Sequence, residues 1–208
     1  MPGERVAGIL LAAGAATRFG ADKLSADVGG RTLLQRSAAE MLAAGLDPVL
    51  VVVRPGAAPP LPSQVTTVAN TRWREGISAS IQAGVTALAD APSIRAAVLA
   101  PADQPWCRSD VYRRLIDALR ASGRDVIVAA FDGAMRNPVL LARAQWSLAD
   151  EIDGDVGLSA VVRTMSPLTV ECSDIGSVDD IDTPADLVRA RRTAVDPFDG
   201  PGADMVAR

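Results

Sequence analysis

Two cations and a glycine-rich turn fall within one short stretch, Leu10-Leu11-Ala12-Ala13-Gly14-Ala15-Ala16-Thr17-Arg18-Phe19-Gly20-Ala21-Asp22-Lys23-Leu24. The apolar run over residues 6–11 leads into it and reads as a buried parallel strand. Past the end of such a strand, glycine and alanine let the backbone approach a ligand closely and turn its N–H groups toward phosphate oxygens. Arg18 and Lys23 add positive charge, and only Phe19 is bulky. This chemistry suits a polyphosphate. Neither common phosphate loop is present. Five residues separate Gly14 from Gly20, which runs into Ala21-Asp22-Lys23 and not into Lys-Ser or Lys-Thr, and the dinucleotide pattern G-x-G-x-x-G is absent.

Composition narrows the remaining possibilities. A chain of 208 residues suits one domain with a full core. Hydrophobic residues make up 49% but aromatic ones only 3%, so Ala, Val, Leu and Ile must fill that core, as in helices packed on a parallel sheet. A net charge of −4 gives no global field for nucleic acid, and an anionic ligand must be held by local cations and amides. No apolar run approaches the length of a membrane span. Cys107 and Cys172 lie far apart without metal-binding spacing, and no signal peptide is visible, which together fit a reduced, cytoplasmic protein. The chain has no histidine, which excludes Ser-His-Asp and Cys-His catalysis and any His-ligated zinc.

The elements that would position these groups alternate between apolar strands and amphipathic helices. Residues 32–44 read as a helix with a Thr32–Gln35 capping box and a stop at Gly45. Strands are expected over 48–53, 65–68 and 96–100, with a proline-rich loop over 55–62. Helices are expected over 77–89, after Gly76, and over 110–121, capped by Ser109. Strands over 126–131 and 138–141 flank an Asp132-Gly133 turn, which allows this part of the sheet to run antiparallel. Thr183-Pro184-Ala185-Asp186 has the cap, proline and acid of a helix start. Gly, Pro and Asp gather beyond residue 194, so a domain over 1–194 with a loose tail over 195–208 is expected.

The first loop resembles the signature of the MobA-like and MocA-like NTP transferases, nucleotidyltransferases of the molybdenum-cofactor type: L-A-A-G or L-A-G-G, then R-[MF]-G, then K-L. Asn70-Thr71-Arg72-Trp73-Arg74-Glu75-Gly76-Ile77-Ser78-Ala79-Ser80 resembles the family's N-x-x-W-x-x-G-[IM]-x-x-S segment, and Leu99-Ala100-Pro101-Ala102-Asp103-Gln104-Pro105 its L-x-x-x-D-[QM]-P loop. Asn137-Pro138-Val139-Leu140-Leu141, Gly154-Asp155-Val156-Gly157 and Asp180-Ile181-Asp182-Thr183-Pro184-Ala185-Asp186-Leu187 follow in the family's order. The resemblance implies an α/β chain with the single-domain Rossmann-like nucleotidyltransferase fold of the glycosyltransferase-A type, a mostly parallel central sheet with helices on both faces.

It also implies a reaction: a phosphate oxygen of an acceptor attacks the α-phosphorus of an NTP, and pyrophosphate leaves. A phosphate acceptor is already ionised at neutral pH, so the missing histidine is no obstacle, and alignment plus charge neutralisation can suffice. Lys23, Arg18 and Asp103 would be the catalytic groups. Leu11, Ala12, Ala13, Gly14, Arg18, Lys23, Asn70, Ser80 and Asp103 would bind the nucleotide, Asn70 and Ser80 near base or ribose. Ligands of an open parallel sheet sit beyond the strands' carboxyl ends, where the Gly14 and Asp103 loops can face one cleft. A carboxylate beside a triphosphate needs a cation between them, and Mg²⁺ held by Asp103 and Asp182 (or by Asp180 in place of Asp182) would supply it. Trp73 reads as a packing residue. Ala12-Ala13 is closer to the cytidylyltransferase version of the loop, so the resemblance implies CTP as donor and molybdenum-cofactor pterin as acceptor, with a molybdoenzyme receiving the product. Arg136-Asn137-Pro138 and Gly157-Leu158-Ser159 depart from the Gly-His-Pro and Gly-Ala-Arg of many MocA-like members, both in the acceptor half. A sugar-phosphate acceptor, GTP as donor and a non-enzymatic cofactor-delivery chaperone remain the competing readings.

Overall fold

The computed structural model describes residues 5–14 and 23–192. The strand β1 (Arg5–Leu11) lies inside a seven-stranded sheet, and its five central residues, Val6 to Leu10, are all buried. To one side stand β4 (Val49–Val53) and β5 (Val65–Ala69), both parallel to it; to the other stands β6 (Ile94–Pro101), also parallel. Beyond β6 come β8 (Ala134–Ala142), β7 (Val126–Phe131) and β9 (Leu168–Glu171), in the spatial order β5-β4-β1-β6-β8-β7-β9. Only β8 opposes the others, pairing antiparallel with both β6 and β7. A separate hairpin joins β2 (Asp27–Val28) to β3 (Arg31–Thr32).

Helices cover both faces, because each helix has an apolar stripe that only the sheet can bury. On one face, α1 (Leu33–Ala43) and α3 (Ser109–Ser122) pack Leu34, Met41, Val111, Tyr112 and Leu115 against Leu10, Val49, Val51 and Val98. On the other, α2 (Ile77–Thr86), the irregular helical segment Arg143–Glu151 and α4 (Leu158–Val162) cover Ile9, Leu50, Val52, Ala97 and Leu99. Gly84 of α2 permits close approach here, since a Cβ would stand 2.6 Å from the Ile9 side chain. The last helix, α5 (Pro184–Arg192), gathers Leu187 and Ala190 with Val28 and Leu33 in a smaller cluster.

Most expected elements are present, with four differences, one being that β8 begins at Ala134 and not at residue 138. The α2 helix ends at Thr86, short of residue 89, because Leu88 and Ala89 turn back onto the Val85 and Thr86 carbonyls. Ser109 is the first residue of α3 and not its cap; the Glu40 carboxylate of α1 accepts the Ser109 N–H at 2.7 Å instead, so a tertiary neighbour replaces the local hydroxyl. The sequence reading omitted the β2–β3 hairpin, α4 and β9, which are too short to show periodicity. The Thr32–Gln35 capping box is present, both of its hydrogen bonds forming, and Asp132 and Gly133 take positive φ in the β7–β8 turn. The tail over 195–208 lies outside the described residues.

Candidate functional site

The order of the sheet reverses between β1 and β6: the chain goes from β1 outward to β4 and β5, then returns to the other side of β1 to build β6. Their adjacent carboxyl ends make the crevice that an open sheet offers to a ligand. The two exit loops are tied together there, Ala12 N–H donating to the Val52 carbonyl at 2.9 Å and Ala102 N–H to the Leu11 carbonyl at 3.2 Å. Lys23 opens a short 3-10 turn, Lys23–Ser25, at the same end of the sheet. Its ammonium lies 2.6 Å from Asp103 Oδ2 and 2.8 Å from Asp182 Oδ1.

Each partner is fixed by its backbone. Asp103 leaves β6 through Ala102, whose carbonyl accepts from Ser37 Oγ of α1 at 3.0 Å, while the Asp103 carbonyl accepts the Ile181 N–H at 3.2 Å. Asp182 precedes α5, where Thr183 and Asp186 exchange side-chain to backbone hydrogen bonds as a capping pair. Burial alone would lower the Lys23 pKa, but hydrogen bonds and charge from Asp103 and Asp182 outweigh it and raise the value, so the ammonium stays charged at neutral pH. Asp180 accepts from Gln104 Nε2 at 2.9 Å. Burial pushes the Asp180 carboxyl pKa upward, against the Gln104 hydrogen bond, and the charges of Asp103 and Asp182 push it the same way. Two polar atoms here are buried without a partner among the described residues: Asp103 Oδ1 and Gln104 Oε1.

Arg54, just past β4, clamps the first loop. Its Nε donates to the Ala13 carbonyl at 3.3 Å and its Nη2 to the Gly14 carbonyl, while its guanidinium stacks 4.9 Å from the Trp73 ring centroid. Arg74 lies against the same ring at 4.5 Å. Trp73 thus packs against two guanidiniums as well as against the core, where cation–π attraction helps hold it in place.

Asn70 follows β5 and is buried; its Nδ2 donates to Ser80 Oγ at 3.0 Å, and its Oδ1 accepts the Arg72 N–H at 2.9 Å. This pair fixes the turn that starts α2. At that start Gly76 takes a φ of 105°, and a Cβ would overlap the Gly154 carbonyl, which accepts the Ser78 N–H at 3.1 Å. The Gly154–Gly157 loop is thereby held over the crevice. Between it and the strand ends lies a cavity of about 140 Å³ lined by Leu11, Pro101, Asn137 and Asp155 among others. Asn137 reaches it from a bulge: β8 pairs Val139 with Val128 and Arg136 with Ala129, leaving Asn137 and Pro138 extra. Proline has no N–H for the ladder, so a bulge is where a strand can accept it.

The structure therefore gathers Leu11, Ala12, Ala13, Gly14, Lys23, Asp103 and Asp182 at one end of the sheet, with Asn70 and Ser80 paired at the adjoining start of α2. Arg18 lies outside the described residues. Arg54 and Gln104 were missed by the sequence reading. Arg54 follows a strand like any surface arginine, and only the folded position of the Gly14 loop reveals its role.

Comparison with known proteins identifies the family. Residues 8–170 match the MobA-like NTP transferase domain. A Bacillus subtilis relative, purine catabolism protein PucB, is 28% identical over 199 residues, covering 89% of this chain and 95% of that one. A Mycobacterium tuberculosis relative described as a probable molybdenum cofactor guanylyltransferase is 30% identical over 190 residues, covering 88% and 91%. Among solved structures, Rv0371c of Mycobacterium tuberculosis superposes with a TM-score of 0.75 at 23% identity, covering 90% of this chain and 98% of that one; a complex of the same protein with manganese gives 0.67. A matching domain over most of the chain, and a relative alike along nearly its whole length, place this protein in the MobA-like NTP transferase family.

Proposed function

We propose that the protein transfers a nucleoside monophosphate, CMP from CTP, to a phosphorylated pterin of the molybdenum-cofactor type, with release of pyrophosphate. The observation that carries this reading is the Lys23 ammonium seated between Asp103 and Asp182 at the sheet's switch point, beside the glycine loop. The triphosphate would lie along the Gly14 loop, where Arg54 takes up the Ala13 and Gly14 carbonyls and leaves N–H groups to meet the phosphates. Lys23 then offers a fixed positive charge to the phosphate oxygens without any side chain having to give up a proton. No histidine is needed, because the attacking phosphate oxygen is already ionised. The work of the chain's residues is alignment of two anionic substrates and neutralisation of their charge.

Asp103 and Asp182 suit Mg²⁺. Both offer oxygen, the ligand of a hard cation, and Asp103 Oδ1 is buried with no partner to satisfy it. Among the described residues no group of three or more acidic, Cys or His side chains is arranged to hold a metal alone, in keeping with an ion that takes its other ligands from substrate phosphates and water. Bound there, Mg²⁺ would supply charge stabilisation of the departing pyrophosphate. The manganese complex of Rv0371c supports a divalent ion at this fold.

The relative described as a guanylyltransferase favours a second reading, GTP as donor. Pyrophosphate release measured with each NTP in turn, with and without molybdenum-loaded pterin, separates the two. Turnover with CTP and pterin is expected; turnover only with a sugar phosphate would leave transferase chemistry and remove the pterin.

A further inference from the structure

The crevice continues past Asp103 into a second, larger cleft of about 370 Å³, whose lining includes Gln104, Arg136, Asn137, Arg163, Asp179 and Asp180. Its size suits part of a small molecule. Gln104 follows Asp103 directly, and Asn137 lines both this cleft and the smaller cavity beside Leu11, so the cleft adjoins the candidate site. Its two sides carry opposite charge. On one, Arg136 is exposed with no ion-pair partner among the described residues, and Arg163 is bound only through Nη2 to the Met135 carbonyl at 3.3 Å. Among the described residues neither guanidinium faces a carboxylate within salt-bridge distance. On the other, Asp179 accepts from Ser177 Oγ at 2.6 Å and Asp180 from Gln104 at 2.9 Å.

Gln104 is the telling residue. It is only 6% exposed, its Nε2 is committed to Asp180, and its Oε1 is buried without a partner. An acceptor atom so placed is costly to leave unpaired. It calls for a donor from whatever fills the cleft. The guanidinium pair calls for an anion, since its forked donors match carboxylate or phosphate oxygens. A simple polyanion fits poorly, because Asp179 and Asp180 would repel it.

We propose that this cleft receives the far end of the acceptor, and that the acceptor carries a second anionic group, phosphate or carboxylate, gripped by Arg136 and Arg163, together with an N–H or O–H donor that meets Gln104 Oε1. This rests on the nucleotidyl-transfer reading, and it adds that the acceptor is bipolar: one oxygen reacts at Lys23 and Asp103 while a separate anion anchors it on the arginine side.

The test uses the full chain with Mg²⁺ and a CTP analogue bearing a methylene bridge between the α- and β-phosphorus. Calorimetry measures binding of O-phosphoethanolamine, which joins a phosphate to an ammonium, and of inorganic phosphate. O-phosphoethanolamine is expected to bind with the analogue already in place, more tightly than inorganic phosphate, and at least tenfold more weakly to Arg136→Gln and Arg163→Gln. Gln104→Met should erase the preference between the two probes. Near-native melting of each variant shows that folding is intact. Absence of probe binding to the unmodified chain, or binding unchanged in the double Arg136→Gln/Arg163→Gln variant, overturns the second anion while analogue binding keeps the transferase reading. Displacement of the probe by the analogue also overturns it, since the probe then sits in the triphosphate loop. Failure of the analogue itself to bind removes the transferase reading and, with it, the cleft's role as an acceptor subsite.

Discussion

Lys23 and Asp182 stand 159 positions apart in the chain and meet at 2.8 Å, so a residue beside the first loop is joined to the threshold of the last helix. The contact places a cation where Asp103 and Asp182 would otherwise stand near each other uncompensated. It also makes the site depend on α5 being docked, since Asp182 is held by the cap of that helix.

Replacing the cation tests its role directly. Lys23→Ala should lower the rate of pyrophosphate release by roughly 10² or more, the scale of losing a charge aimed at a transferring phosphate. Circular dichroism confirms the fold, and an unchanged rate would reduce Lys23 to a structural tie. Stability gives a second readout. The folded-state pKa of Lys23 lies above its ordinary 10.5, so its stabilising contribution is complete below that value and lost as pH rises through the folded one. The Tm gap between the unmodified chain and Lys23→Met should hold steady through neutral pH and narrow only above pH 10.5.

Asp103→Asn and Asp182→Asn should each depress activity steeply, with partial recovery at raised Mg²⁺. Because both act on one shared site, the double variant should cost much less than the sum of the two. Full additivity, or an Asp182→Asn effect confined to Tm, would make Asp182 a helix-start residue.

Arg54→Gln should raise the KM for NTP about tenfold or more with a smaller change in kcat, the scale of one or two charge-assisted hydrogen bonds lost from the Gly14 loop. Arg54→Lys should rescue little, as a single ammonium cannot reproduce the fork or the stack on Trp73. Equal KM values in steady-state kinetics would show that the loop holds its shape alone.

Ala13 is 1% exposed, its methyl sitting in the cluster that includes Ile81 and Val85 of α2, so only its backbone is available to a nucleotide bound in the crevice. Ala13→Gly should narrow the preference for CTP over GTP by letting that backbone shift, read as the ratio of kcat/KM values. An unchanged ratio would move base selection to the Asn70–Ser80 turn.

Away from the site, Glu171 fastens the end of β9 to the β7–β8 turn. Hydrogen bonds from the Ser173 hydroxyl, the Ser173 N–H and the Gly133 N–H hold its carboxyl pKa down at about 2, below the usual 4.5. A depressed carboxylate stabilises above its unfolded value and loses that contribution as pH falls through the folded one. Glu171→Gln should therefore melt lower at pH 7, with the gap closing between about pH 4.5 and 2.

What could be read from the sequence were features whose signal is local. The buried strands show as unbroken Val, Leu and Ala runs, and the α1 capping box lies in four consecutive residues. Lys23, Asp103 and Asp182 each sit at a strand exit or a helix start, and the sheet's order brings those ends together. What stayed hidden needs the tertiary contact itself. Glu40 caps α3 from another helix, and Arg54 acts on carbonyls some forty positions earlier in the chain. Gln104 gains meaning only from Asp180 and an empty lone pair. The β8 bulge was invisible because Asn137-Pro138 reads equally well as an ordinary strand beginning.

That bulge separates two kinds of sequence freedom. Asn137 and Pro138 stand outside the pairing of β8 with β7, so residues there can change without breaking ladder hydrogen bonds, whereas Val139 to Leu141 are bound to two neighbours at once. The strand β8 is thus rigid where it builds the core and permissive at the bulge that borders the clefts. Asn137, which lines both clefts, is therefore free to vary while Val139 to Leu141 stay fixed, so drift at a single bulge can reshape the cleft wall without disturbing the sheet.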